Sequence, residues 1–223
     1  MRRKLLFFVL AVCMLLSFTQ LAQAAILFED LGTAAPPATV GIYTVTPFDQ
    51  VPQTAIPNFT DVTTIPGSPI PGDLNVSPAL NKRTIGAGWA TWSHGYAGAV
   101  YATGGQTITM TLPPATAAFY FYAEPNQFAD FTINATADDG TTSGDITVNG
   151  SAAANGYAFY SVGGASTITS ITVTTSDPTG FAIGEFGAAE QFNVPTMNEW
   201  GMIIFMALAG LGSIYYLRRR HSS

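Results

Sequence analysis

The stretch QTITMTLP, Gln106–Pro113, decides the fold. Ile108, Met110 and Leu112 share one side of an extended chain, while Thr107, Thr109 and Thr111 share the other. Successive side chains on a strand point to opposite faces, so this alternation predicts a half-buried β-strand. FTINATA repeats it, with Phe131, Ile133 and Ala135 against Thr132, Asn134 and Thr136. DITVNG, YAFYSV, TSITVTT and FAIGEF follow, and AAFYFYAE, apolar nearly throughout, reads as a central strand. The runs DDGTTSG, NGSAAANG and SDPTG punctuate them. Evenly spaced short strands with such turns predict an all-β domain, a jelly-roll-like antiparallel β-sandwich. AILFEDL and GFAIGEF would be its first and last strands, which a jelly roll could pair, with both termini leaving from one end, and no helical pattern is expected between Ala25 and Phe192.

Residues 35–80 depart from this regularity, because they hold nine of the fourteen prolines. Proline has no N–H for a sheet ladder, so long extended loops are expected here, with one or two short strands such as Gly41–Phe48. Tyr43, Val45, Ile65 and their apolar neighbours point to loops that pack on the domain and do not form a disordered linker.

The two ends of the chain are different in kind. Arg2, Arg3 and Lys4 precede an apolar run, Leu5 to Phe18, and Ala22-Gln23-Ala24 then offers a small-x-small cleavage site before Ala25. This is the pattern of a secretory signal peptide, residues 1–24, to be removed by signal peptidase. It carries the lone cysteine, Cys13, so the exported domain, residues 25–192, has no disulfide and relies on its core. Thirteen of the fourteen Asp and Glu lie between Glu29 and Glu190, against only Lys82 and Arg83. Such a surface repels nucleic acid, which requires basic patches.

At the other end, residues 202–217 form an uncharged apolar run, preceded by Trp200 and closed by Arg218, Arg219 and Arg220. Counted from Trp200, a helix here would reach about 27 Å, enough for a thin bilayer core. The aromatic ends and the arginine cluster fit interfacial belts and a cytoplasmic stop-transfer signal. The physical reading is a C-terminal transmembrane helix that holds the domain outside the inner membrane.

Just before that run stands Val-Pro-Thr-Met-Asn-Glu-Trp-Gly. With the span and the arginines it resembles the IPTL-CTERM sorting signal of Gram-negative bacteria, which reads Ile-Pro-Thr-Leu-x-x-Trp-Gly. Pro195, Thr196, Trp200 and Gly201 match, and Val194 and Met197 are apolar replacements. The resemblance covers residues 193–223 and implies recognition by an exosortase-type membrane enzyme. That enzyme would cut near the motif and send the domain to the envelope, surface or extracellular matrix. WSHGYAGAVY, AFYFYAEPN and GFAIGEF give the domain itself a loose similarity to uncharacterised β-sandwich domains that precede such tails.

Candidate chemistry within the domain is sparse. His94 is its one histidine, and Ser93 beside it would point to the opposite face if the segment were a strand, so no nucleophile–base pair is expected. Paired carboxylates for glycoside hydrolysis could come from Glu124, Asp138, Asp139 or Glu185, as any acidic sandwich would allow. A calcium site is a further candidate: Asp138, Asp139 and Asp145 share a glycine-containing loop, and Glu29 and Glu185 lie on strands that a jelly roll could pair. The competing reading is that Asp-Gly marks a hairpin turn. GWATWSHGYAG offers Trp89, Trp92 and Tyr96 as aromatic platforms for a sugar. Trp89 and Trp92, three apart on a strand, would face opposite sides and leave one ring free; the alternative packs both beneath the proline-rich loops. The resulting expectation is a non-catalytic structural or adhesive protein with polysaccharide as ligand class. Its alternatives are a jelly-roll carbohydrate-active enzyme and a permanently anchored periplasmic protein.

Overall fold

A computed structural model describes residues 25–162, 167–191 and 203–211. The chain divides after Gln191 into two compact units, and the first carries the β domain. Its strands are β1 (Ala25–Gly32), β2 (Thr39–Val40), β3 (Tyr43–Thr44), β4 (Thr46–Pro47), β5 (Asp61–Ile65), β6 (Leu74–Ile85), β7 (Gly88–Trp89) and β8 (Ala99–Thr103). They continue with β9 (Thr107–Thr111), β10 (Thr116–Pro125), β11 (Asp130–Ala137), β12 (Ile146–Asn149), β13 (Asn155–Val162), β14 (Ser170–Thr175) and β15 (Phe181–Glu190). One mostly antiparallel sheet runs β1-β13-β10-β15-β8-β6-β9-β14-β11-β12, with β4, β5 and β7 attached to it and β2–β3 as a separate hairpin.

The sheet curls because β6 serves both of its halves. Asn75–Ser77 pair with β9, whereas Asn81–Arg83 pair with β8. Pro78, between the two pairings, has no N–H to give to a ladder. The halves share one core, in which Phe119, Phe121, Phe159 and Ile183 meet Ile108, Met110, Ile133 and Val173. Ile108 and Met110 are buried as their alternation requires.

β10 explains the apolar run AAFYFYAE. Every residue from Thr116 to Pro125 is buried, because both faces of the strand are covered. Phe119 and Phe121 enter the shared core, while Ala118, Tyr120 and Tyr122 belong to a second cluster with Tyr43, Val45, Trp89 and Trp92. A strand buried on both faces reads as a continuous apolar stretch. Its second cover comes from the proline-rich loops and the GWATWSHGYAG segment. Tyr43, Val45 and Ile65 are buried as expected, but Ile42 and Phe59 point to solvent.

Two expectations are corrected. Gln50–Thr54 form a single helical turn, α1, whose start is capped by Asp49 accepting from Val51 N–H at 2.9 Å. A turn this short has no room for the apolar periodicity that reveals longer helices. The first and last strands do not pair: β1 lies against β13, and β15 lies between β10 and β8.

Residues 203–211 of the second unit are helical, with Ile203, Ile204, Phe205, Met206, Leu208 and Leu211 exposed. Among the described residues no helix is long and apolar enough to cross a membrane. The signal peptide with Ala22 and Ala24, the motif from Val194 to Gly201, Arg218–Arg220 and the remainder of the 202–217 run lie outside the described residues.

Candidate functional site

The segment GWATWSHGYAG is a strand only at Gly88–Trp89 and continues as loop to Gly98. Strand alternation therefore does not apply, and both indoles turn onto the same outer face of β10 and β15. Trp89 Nε1 donates to Glu124 Oε2 at 2.7 Å, and Trp92 Nε1 donates to Glu185 Oε2 at 3.2 Å. Both tryptophans are buried, which corrects the expectation of one free ring and matches the alternative of packing beneath loops. Tyr96 is half-buried against Trp92, its hydroxyl donating to Ala99 O at 2.9 Å, so it offers no open platform either.

Glu124 sits fully buried near the end of β10. Besides Trp89, Thr91 Oγ1 donates to it at 3.3 Å and Ala153 N–H at 3.3 Å. Burial pushes its carboxyl above the ordinary range, and these donors only partly offset that.

Glu185 owes its direction to a β-bulge. Between the pairs Tyr120–Gly187 and Tyr122–Gly184, β15 advances three residues while β10 advances two. The extra residue falls at Glu185, held at φ +55°, so its side chain leaves the shared core and emerges on the outer face. There His94, at φ +39°, brings Nε2 to 2.8 Å from Glu185 Oε1. Burial raises the Glu185 carboxyl, against the pull of His94 and Trp92. His94 Nδ1 lies 2.9 Å from Ser93 Oγ and 3.2 Å from Thr33 O.

That contact overturns the expectation that Ser93 and His94 point apart, since the positive φ of His94 makes a turn where a strand was assumed. Ser, His and Glu are thus linked in order, but Ser93 is only 1% exposed. A nucleophile must reach a substrate carbonyl, and this hydroxyl is sealed. The cluster works as a latch that ties the 90–98 loop and Thr33 to β15.

Two open lobes adjoin Trp89. One lobe, of about 170 Å³, is lined by Trp89, Thr91, Glu124, Asn126 and Phe128. A second, of about 130 Å³, is lined by Asn81, Arg83, Trp89, Thr103, Asn126 and Thr179. Trp89 and Asn126 line both, so the two lobes are neighbours, together called the cleft below. Phe128 stands at the rim with 66% of its surface exposed. Its loop is held by buried Asp177, which accepts from Gln127 N at 2.9 Å, Gln127 Nε2 at 3.0 Å and Thr179 N at 2.8 Å. Arg83 donates from Nε to Asn81 Oδ1 at 3.2 Å and from Nη1 to Gly88 O at 3.0 Å, with Phe59 beneath its guanidinium.

Sequence reading brought Trp89 and Glu124 forward but missed Asn81, Arg83, Asn126 and Phe128 as their companions. Phe128 carried a usable signal, an isolated aromatic between a Pro-Asn turn and an aspartate. The other three required the strand order.

Of the acidic candidates for calcium, Asp138, Asp139, Asp145 and Glu185 have protein partners. Asp138 accepts from Thr169 Oγ1 at 2.6 Å, Asp139 from Ile26 N at 3.0 Å and Thr141 N at 2.8 Å, and Asp145 from Asn134 Nδ2 at 3.2 Å. Glu29 is exposed on β1, and Glu185 is occupied by His94 and Trp92. Among the described residues no three His, Cys, Asp or Glu side chains gather as a metal-holding group. Turn and strand anchoring accounts for this geometry.

No protein-family model matches the chain, and no curated protein is detectably similar to it.

Proposed function

We propose that the chain is an exported protein, delivered to the bacterial envelope, surface or matrix, whose β domain binds glycan in the cleft at Trp89. The cleft is the observation that carries the binding half of this reading. A sugar presents hydroxyls around a ring whose C–H face is apolar. Phe128 supplies an exposed ring in one lobe, Thr103 and Thr179 line the other as neutral polar groups, and Asn126 lines both. Concave sites with an apolar wall and a few placed polar groups are the usual form of small-ligand sites.

Delivery rests on the tail. Val194–Gly201, the apolar run and Arg218–Arg220 resemble the IPTL-CTERM signal and make the chain a substrate of an exosortase-type enzyme. The strand order supports the jelly-roll reading. With β1 at the edge and β6 in the middle set aside, and β8 to β15 numbered one to eight, the path reads 6-3-8-1 and then 2-7-4-5, two four-stranded groups as in a double Greek key.

The binder is favoured over a hydrolase by the carboxylate census. Glu124 is the one acidic side chain lining either lobe among the described residues. Hydrolysis with paired carboxylates needs two of them roughly 5–10 Å apart across the bond.

Affinity electrophoresis of the full chain against a polysaccharide panel tests the cleft. At least one polysaccharide should retard the wild type, and Phe128→Ala should abolish the retardation. Retardation that survives both Phe128→Ala and Asn126→Ala would remove the cleft from the account. Intact mass and fractionation from the native host test delivery: a species starting at Ala25 and ending near the motif is expected, and one retaining residues 202–220 in the inner membrane contradicts it.

A further inference from the structure

We infer that the Arg83 lobe of the cleft selects a carboxylated sugar, a uronate unit, within the glycan; the inference rests on the glycan reading above. The domain has thirteen acidic side chains and two basic ones. In such a setting both cations would be expected to find carboxylates. Neither does. The one ion pair among the described residues is His94–Glu185. Lys82, 2% exposed, gives its ammonium to Asn58 Oδ1 at 2.8 Å and Thr84 Oγ1 at 3.0 Å, both neutral. Arg83 gives its hydrogen bonds to Asn81 Oδ1 and Gly88 O, also neutral.

These bonds orient the guanidinium without neutralising it. Nε and Nη1 are engaged, and Phe59 packs 5.6 Å from the guanidinium carbon. That leaves Nη2 as the donor edge without a hydrogen-bond partner among the described residues, on a residue that lines the lobe. Arginine is the side chain suited to planar carboxylate recognition, and holding it in place beforehand lowers the entropy lost on binding. Asn81 Nδ2 is turned away, donating to Asp61 Oδ1 at 2.7 Å, and Asp61 does not line the lobe.

The rest of the lobe fits the remainder of a sugar. Thr103, Asn126 and Thr179 are neutral hydrogen-bonding groups, and Trp89 separates this lobe from Glu124. The excess of acidic side chains opposes an anion at long range, and within this lobe Arg83 is the group that offsets that repulsion. A uronate unit would bring its carboxylate to Arg83 and its hydroxyls to the threonines and Asn126, with neighbouring units extending towards Phe128.

The test is affinity electrophoresis of the full chain in detergent with polygalacturonate, its carboxyl-reduced counterpart, polyglutamate and a neutral glucan. The inference expects retardation by polygalacturonate, weakened about tenfold or more on carboxyl reduction or in Arg83→Gln, the range of one charge-assisted hydrogen bond. Thr103→Glu, which adds a carboxylate to the same lobe and leaves the arginine's contacts in place, should do the same. Thermal unfolding of each variant verifies that the fold is kept. Equal binding before and after carboxyl reduction, or unchanged binding in both variants, overturns the inference. Equal retardation by polyglutamate overturns it too, because charge alone is then being read. If a neutral glucan binds and is lost with Phe128→Ala while polygalacturonate does not bind, the uronate inference fails and the glycan cleft stands. If nothing in the wider panel binds, both fail.

Discussion

Trp89 Nε1 lies 2.7 Å from Glu124 Oε2, and this bond joins the loop crossing the sheet to the strand beneath it. The equivalent bond from Trp92 reaches Glu185 at 3.2 Å, where His94 already holds the carboxylate. The two tryptophans should therefore differ in what they support. Trp89→Phe leaves a buried carboxyl with only its weaker donors and is expected to cost about 2–3 kcal/mol, whereas Trp92→Phe should cost about 1 kcal/mol. Urea unfolding of both variants measures the difference, and equal losses would contradict the assigned roles.

Stability should pass through a maximum in mildly acidic solution. Asp139 and Asp177 are pushed up by burial but pulled further down by their hydrogen bonds, so both ionise below the usual 3.8. The unfolded chain then binds more protons than the folded one, and stability is lost as pH falls through that range. Glu124 and Glu185 are raised above the usual 4.5 by burial. Folded protein keeps those protons longer than the unfolded chain, so their contribution declines as pH rises from about 4.5 through the raised values. Melting temperature against pH should show both slopes, and Glu124→Gln should flatten the upper one.

Asp177 bears on binding without touching the cleft space. Its carboxylate fixes Gln127 through backbone and side chain, and so places Asn126 and Phe128 on either side. Asp177→Ala leaves several donors unsatisfied and is expected to cost about 2–3 kcal/mol. Glycan affinity should fall as well, since the loop must then be ordered on binding. Unchanged affinity in a folded Asp177→Ala protein would separate the loop from the site.

Asp139 should act as the anchor of β1. It accepts Ile26 N–H at 3.0 Å, and Thr141 Oγ1 donates to Ile26 O at 3.0 Å, so the 138–141 turn closes part of that strand's free edge. Asp139→Ala should speed hydrogen exchange at Ile26 while amides at the centre of β10 stay protected. Calcium added to the wild type should leave Ile26 exchange unchanged, because the carboxylate is already committed to the turn.

The regular strands were legible because each carries its own pattern. Ile108 and Met110 in β9, and Ile171 and Val173 in β14, have one face buried, and alternation records that directly. AAFYFYAE was legible as central, although its second cover could not be named, since proline-rich loops have no period. The site was harder for a related reason. Glu185 faces outward only because β15 bulges against β10, which is a property of the pairing and not of GFAIGEF. Arg83, Thr103 and Asn126 meet because β6, β8 and the end of β10 converge, and no local spacing encodes that. Ser93 and His94 were misread where a turn replaced an assumed strand.

The most direct measurement is the indole N–H region of a nitrogen-15 NMR spectrum of the full chain in detergent, recorded as a bound polysaccharide's oligomer is titrated in. The chain has three tryptophans, so Trp89→Phe and Trp92→Phe assign the signals. Binding in the cleft should shift the Trp89 resonance progressively to saturation, as a ligand reaches the wall that Glu124 supports, and leave Trp92 behind its latch unmoved. A ligand that binds while Trp89 stays still would contradict the assignment of the cleft as the binding site.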